Sequence, residues 1–376
     1  MTTAVLTAQR DDLAGLAARG RLRSLAPRAG VDFASNDYLG LAGSVALTEA
    51  MRAALDRGVP VGSGGSRLLR GNHPEHEALE SEAAAFFGSE AALFLSTGFA
   101  ANSALLATLP QRGDLILADE LIHASSHEGL RLTRAEHRLV LHNDPAAFAG
   151  AIAAWRAGGG SGQVWIAVET LYSMDGDFAP LTALSNLALR EGAILLADEA
   201  HATGVYGPGG RGLVADLLSR EHVISLHTCG KALGVEGALL CGPAVMRDFL
   251  VNRARGLIFS TAPSPLIAAG VRAALRMSAD GDALRDELRA LLARATALLS
   301  PLGAQCHGSP ILPLVLGGDV RTMAVAARLQ AKGFDVRGIR PPTVPEGTSR
   351  LRIVITRNAG ADDIAALAQA LTKALA

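Results

Sequence analysis

Between about residues 90 and 242 lie six short runs that are apolar throughout save for Ser225: 92–95, 115–118, 164–168, 194–197, 223–226 and 238–241. They are continuous rather than alternating, the pattern of strands covered on both faces. Between them lie stretches with helical spacing, such as 181–190, apolar at 181, 184, 187 and 188. Strand, helix and strand in series predict right-handed crossovers and a mostly parallel sheet, an α/β domain whose ligands sit beyond the carboxyl ends of the strands. After Pro263-Ser264-Pro265 the texture changes to long Ala, Leu and Arg helices over about 266–300. Short strands follow around 311–316, 335–337 and 351–355, then a final helix from about 361. Helices on one small sheet predict a second, α+β domain. The first forty residues read as a helix followed by an extended arm. The expected organisation is an N-terminal helix and arm over 1–40, a large domain over 41–258 and a smaller C-terminal domain over 259–376. The run Gly158-Gly159-Gly160-Ser161-Gly162 reads as a flexible surface loop.

Composition narrows the function classes. The chain has 376 residues, 49% hydrophobic and 19% charged, with a formal net charge of −1. That balance gives no global pull toward nucleic acid or an anionic membrane. The N-terminal stretch lacks a charged head followed by an apolar run, and no apolar run reaches the roughly 18 residues that span a bilayer. Cys229, Cys241 and Cys306 are far apart and odd in number, which suggests a reducing compartment and neither a disulfide framework nor a zinc knuckle. The cytoplasm is the expected location. The chain has only three lysines, Lys231, Lys332 and Lys373, against 32 arginines. Where charge alone is wanted, it writes Arg. Lys231, inside the glycine-flanked HTCGKALG, therefore points to amine chemistry, because an arginine cannot form an imine and a lysine can. An exposed loop lysine is the plainer alternative, and Lys332 and Lys373, near helix ends, are read that way.

Several motifs fall at the expected strand ends. Ser96-Thr97-Gly98-Phe99 leads from a strand into a helix, a turn whose free N–H groups suit a phosphate or simply a capped helix start. Asp198 ends an apolar run, with His201 three residues on. An aspartate there can pair with a protonated pyridine nitrogen, or cap the next helix. Thr228 and Lys231 follow the next run and can face the same ring. Ser173, in the Asp-Gly-containing turn 172–177, can bond a phenolic oxygen or serve the turn alone. His123 can stack on a ring; with His127 it has helical metal-site spacing, but no third ligand follows, so no metal is expected. The cluster Gly62-Ser63-Gly64-Gly65 is either a phosphate loop or a close-packed one. His73, His76 and Glu77 surround Pro74, which is expected to interrupt any helix and leave a solvated loop. Lys231 lacks the glycine spacing of a nucleotide P-loop. Arg352 can grip a carboxylate with its planar fork, or be a surface strand arginine.

Taken together, DFASNDYLGL (32–41), GSGGSRLLRGNHPEHEALE (62–80), STGFAAN (96–102), HASSHEG (123–129) and YSMDGDFAPL (172–181) resemble the α-oxoamine synthases. So do LADEAHATGVYGPGGRG (196–212), HTCGKALG (227–234), FSTAPSP (259–265) and IRPPTVPEGTSRLR (339–352), in the same order. These are fold-type-I pyridoxal-phosphate transferases, with a large, mostly parallel α/β domain and a smaller α+β C-terminal domain. The resemblance implies pyridoxal 5′-phosphate as cofactor, carried by Lys231 as a Schiff base, with Asp198 at the pyridine nitrogen and His123 stacked on the ring. It implies that Gly98 and Phe99 bind the phosphate through their amides, that Thr228 is a further cofactor contact and that Ser173 and His201 serve the ring oxygen. Asn36 and Arg352 match groups holding the amino-acid carboxylate, and Thr343 matches a substrate contact. Arg23 is the best match to an arm arginine that meets the acyl substrate, with Arg21 and Arg28 nearby. The implied substrates are a glycine-like amino acid, L-alanine in the biotin-pathway branch, and an acyl thioester of coenzyme A or a carrier protein. The last block resembles that branch, which takes a pimeloyl group, more than those taking acetyl, succinyl or palmitoyl groups. Glycine C-acetyltransferase is the alternative. A homodimer is implied as well.

Overall fold

The computed structural model describes residues 5–217 and 220–376. The chain forms two compact units: 36–173 with 177–287, and 1–35 with 174–176 and 288–376. The divisions thus fall near 35 and 287, and three residues of the 172–177 turn belong to the smaller unit. The segment 259–287 stays with the large unit because helix Pro265–Ala279 packs on helices Val45–Asp56 and Pro74–Phe87.

The large unit is built on a seven-stranded sheet. In spatial order its strands are Ala91–Leu95, Ala238–Gly242, Val223–Thr228, Ile194–Asp198, Val164–Glu169, Leu115–Asp119 and Glu136–Val140. Only Ala238–Gly242 runs against the rest. The apolar runs are continuous because each face is covered. Leu115, Leu117, Ile166, Val168, Leu195 and Ala197 pack into one core, while Ile116, Ala118, Trp165, Ala167, Leu196 and Leu226 pack into another. Strand order reverses around Leu115–Asp119, whose neighbours are the later strands on either side, and crevices for ligands form at such points.

Three local expectations are corrected. Strand Glu136–Val140 escapes the apolar-run pattern: it is the edge strand, and only Val140 is buried. Charged, solvent-facing edges of this kind deter further pairing. Pro74 does not interrupt a helix but begins one at the first turn, where its missing N–H costs nothing. His76, one turn on, is fully buried, its Nε2 2.8 Å from the Pro263 carbonyl. The glycine run 158–162 lies at the surface, but two of its glycines are closely packed. A Cβ on Gly160 would overlap the Trp155 ring and one on Gly162 the Gly113 carbonyl, and Arg156 donates to the Gly160 and Gly162 carbonyls.

The smaller unit has a three-stranded antiparallel sheet with Ser349–Val354 between Arg337–Ile339 and Ile311–Gly317. Val31–Asp32 pairs with Phe334–Asp335, tying the arm after helix Thr7–Ala18 to this unit. Helices Asp319–Gln330 and Ala361–Leu375 pack together beside it. Among the described residues, no helix is long and apolar enough to cross a membrane.

Candidate active site

In the large unit, strand ends converge on a cavity of about 140 Å³. Helix Gly98–Thr108 starts beside it. Thr97 caps that helix, its hydroxyl accepting from Ala100 N–H at 3.0 Å. The earlier N–H groups, Gly98 and Phe99, have no intrahelical acceptor, as at every helix start. A Cβ on Gly98 would lie 3.5 Å from Thr228 Oγ1, so the turn sits directly on the strand end that carries Thr228. Lys231 follows three residues later, on the turn between Val223–Thr228 and Ala238–Gly242. Gly234 closes this turn by donating to the Lys231 carbonyl at 2.9 Å. Its φ of +66° and a backbone at Leu41–Ala42 that leaves no room for a Cβ require glycine there.

Gly98, Phe99, His123, Asp198, His201, Thr228 and Lys231 all line this cavity. Asp198 ends its strand buried, at 7% exposure. Its Oδ1 accepts from Ala200 N–H at 2.9 Å and its Oδ2 from Asn102 Nδ2 at 2.6 Å. Asn102 also donates to Ser125 Oγ at 3.0 Å, and Ser125 Oγ lies 2.8 Å from His123 Nδ1. His123 caps helix Ala124–Leu132 with that same nitrogen, which accepts from Ser125 N–H at 3.2 Å. Although His123 is open toward the cavity, the protein packed around it pushes its pKa down; Asp198 acts upward and Lys231 downward. His201 is buried, with Nδ1 2.6 Å from the Tyr38 hydroxyl, which is also 3.4 Å from Asn36 Oδ1. Asn36 thereby joins the site through Tyr38. Ser173 is buried beside it, donating its N–H to Glu169 Oε2 at 3.1 Å.

Asn102, Ser125 and Glu169 were not singled out in the sequence, yet they line the same cavity. Glu169 ends its strand in register with Asp198. Burial, then the nearby Asp198 charge, pushes its carboxyl up to about 8, against Lys231 and Ser173. Its Oε1 is buried without a hydrogen-bond partner. The signal for Glu169 was present, since it ends an apolar run just as Asp198 does.

The remaining candidates lie in the smaller unit. Arg23 donates to Thr343 Oγ1 at 3.2 Å, bringing two predicted substrate residues together. Arg21 is committed elsewhere: it bonds both oxygens of Glu346 at 2.8 and 2.7 Å and Asp319 at 2.6 Å. Arg352 is no surface arginine. It sits on the central strand at 6% exposure. An open depression of about 780 Å³ in this unit, lined by Arg21, Asp319 and Glu346 among others, is larger than the cavity around Lys231. No lysine lines it. Among the described residues, no three His, Cys, Asp or Glu side chains gather as a metal site.

Residues 28–371 match the family described as aminotransferase class I and II. The chain belongs to that family. It is 43% identical over 379 residues to 8-amino-7-oxononanoate synthase of Aromatoleum aromaticum, covering 96% of this chain and 97% of that protein. Among solved structures it resembles 8-amino-7-oxononanoate synthase from Francisella tularensis, with a TM-score of 0.77 and 26% identity over 92% of this chain and 98% of the other. Serine palmitoyltransferase from S. paucimobilis, solved with a pyridoxal-phosphate–myriocin adduct, gives a TM-score of 0.88 at 23% identity, covering 99% and 98%. That likeness is one of fold. The α/β architecture is the fold-type-I transferase fold common to this aminotransferase family.

The donor set suits the cofactor that the sequence implies. One cavity offers an amine, a buried carboxylate, an imidazole open to the cavity and a helix start with free N–H groups. The unpartnered Glu169 Oε1 marks a polar position that nothing in the protein fills.

Proposed function

We propose that this chain condenses L-alanine with a pimeloyl thioester, with loss of carbon dioxide, to form 8-amino-7-oxononanoate in biotin biosynthesis. The observation that carries this reading is the gathering of Lys231, Asp198, His123, His201 and the Gly98 helix start in one cavity. The chain's likeness to 8-amino-7-oxononanoate synthases supports the choice of reaction. Carbon balance selects the amino acid. A seven-carbon acyl group plus three-carbon alanine, less one carbon as dioxide, gives the nine-carbon product; glycine would give eight. Glycine therefore gives way to L-alanine as the substrate of this chain.

Pyridoxal 5′-phosphate, when bound, supplies an aldehyde for an amine and a protonated ring that draws electrons from the α-carbon. The residues do the rest. Gly98 and Phe99 would give N–H groups to the phosphate at the positive end of their helix, with Thr228 a further contact. Asp198, its own two oxygens already oriented by Ala200 and Asn102, keeps the ring nitrogen protonated. Ser173 and His201 would serve the ring oxygen, and His123 would cover the ring. Lys231 anchors the cofactor through Nζ. With its Nζ free, Lys231 would remove the α-proton of the amino acid and later help return one. Asn36 and Arg352 hold the alanine carboxylate; Arg23 and Thr343 meet the acyl substrate. Attack of the α-carbon on the thioester carbonyl forms the carbon–carbon bond and expels the thiol. Loss of the carboxylate as carbon dioxide and reprotonation complete the sequence. We assign the working form as a cytoplasmic homodimer.

Turnover with L-alanine or glycine against acetyl, succinyl, pimeloyl and palmitoyl thioesters tests the reading. Thiol release should be fastest with L-alanine and a pimeloyl group, on coenzyme A or a carrier protein. Preference for glycine with acetyl-CoA would make the chain a glycine C-acetyltransferase instead.

A further inference from the structure

Among the groups lining the cavity, Asn102 and Ser125 touch no expected reacting atom, yet they bridge two residues that do. We propose that Asn102, acting through Ser125, is a positioning residue that holds His123 as the neutral tautomer protonated on Nε2. The argument is one of hydrogen-bond direction. A carboxylate only accepts, so Asp198 Oδ2, 2.6 Å away, fixes which end of the Asn102 amide faces it: the NH₂. That same nitrogen is 3.0 Å from Ser125 Oγ, so Ser125 must accept from it. The serine hydrogen is left to point at His123 Nδ1, 2.8 Å away, where Ser125 N–H already points from 3.2 Å. Both partners of Nδ1 are donors. A proton on Nδ1 would face the Ser125 N–H, which cannot turn, and would leave the hydroxyl hydrogen, already barred from the side that Asn102 occupies, with no other acceptor among the described residues. The imidazole proton therefore sits on Nε2.

This direction matters because of what else faces the ring. Asp198 favours a charged imidazole; Lys231 and His127 oppose one. The Asn102–Ser125 chain adds to the opposing side and keeps an uncharged ring available to lie against a protonated pyridine, where an imidazolium would repel it. All of the atoms involved belong to side chains that are buried or line one cavity: Asn102 is 6% exposed and Ser125 1%.

The inference deepens the proposed reaction but is tested without it, by titrating isotope-labelled histidine in the full chain, with and without pyridoxal phosphate. His123→Gln assigns the resonance. Wild-type His123 should show an unprotonated Nδ1. Asn102→Ala opens the amide's side to the Ser125 hydroxyl hydrogen, so that the oxygen can present a lone pair to Nδ1–H, and the His123 midpoint should rise by about one pH unit, the worth of one ordinary hydrogen bond. Ser125→Ala removes the group able to turn, so adding it to Asn102→Ala should cancel most of that rise. A purely structural role for Asn102 would lower melting temperature and leave the midpoint in place. An unmoved midpoint in folded Asn102→Ala, or a rise that survives the double change, overturns the proposal. Turnover of the wild-type enzyme on a different acyl thioester would revise the reaction and leave this result standing.

Discussion

Replacing Asp198 by asparagine keeps the side-chain volume and removes the charge, although turning the Asn102 amide to suit it would also reverse the bond to Ser125. An amide nitrogen must take the place of one oxygen. At the Oδ1 position it would meet the Ala200 N–H, donor against donor at 2.9 Å. At the Oδ2 position it meets Asn102, whose amide can rotate to present its oxygen instead. The second arrangement needs no backbone movement, so the fold should survive. Stability should fall only by the difference between a charged and a neutral hydrogen bond, on the order of 1 kcal/mol. Activity should fall further. A hydrogen bond to a charged group contributes about 1.5–3 kcal/mol, which converts to roughly 10- to 150-fold in rate if it is realised at the transition state. Steady-state turnover with saturating L-alanine and pimeloyl thioester measures this, with thermal unfolding run in parallel. A folded variant that loses less than about tenfold, or 1.4 kcal/mol, would show that Asp198 does not hold the charged ring.

Borohydride reduction of the pyridoxal-phosphate-loaded protein, followed by peptide mapping, should place the label on Lys231; a label on Lys332 or Lys373 would defeat the assignment. Arg352→Lys keeps the charge and loses the planar fork, so the apparent constant for L-alanine should rise by roughly 1.5–3 kcal/mol while that for the thioester changes little. The opposite pattern would give Arg352 to the acyl substrate. His142 supplies a pH dependence. Burial opposes its charge, but hydrogen bonds to Asp119 at 2.9 Å and Asp177 at 2.8 Å outweigh it and raise its pKa from 6.5 to about 10. The protonated form is the stabilising one, so the contribution is complete below 6.5, declines above it and is gone once pH passes 10. The melting-temperature gap between wild type and His142→Gln should therefore narrow from pH 6.5 to 10, and a gap that holds or widens would contradict the bridge.

The parts legible in the sequence are those whose cause is local. Strands buried on both faces must be apolar at successive positions, so Leu115–Asp119, Val164–Glu169 and Ile194–Asp198 announce themselves. Edge strand Glu136–Val140 needs no such run, because four of its five side chains meet solvent. Pro74 is ambiguous in sequence, since the residue that breaks a helix interior also starts one; only the His73 cap decides between them. Most candidates for the cofactor stood out through residue type at a strand end, while Asn102 and Ser125 did not. Both lie in the first two turns of helices, where small polar residues usually serve the backbone, and their task is set by residues 96 and 23 positions away.

Three strand-end acids show where such reading stops. Asp119, Glu169 and Asp198 each close an apolar run at the carboxyl edge of the same sheet, and nothing in the runs themselves ranks them. Their surroundings do. Asp119 accepts from Leu121 N–H and Asn143 N–H and pairs with His142, so its charge is consumed in holding loops together. Glu169 has one backbone donor on one oxygen and none on the other, and burial pushes it toward the neutral acid. Asp198 has a donor on each oxygen and faces the cavity shared with Lys231. A carboxylate stays charged in a buried site when donors satisfy it, and stays available for chemistry when no fixed cation neutralises it. Of the three acids, Asp198 alone combines a donor on each oxygen with a place in the cavity of Lys231, and it does so through Asn102, a partner that the strand carrying the aspartate does not encode.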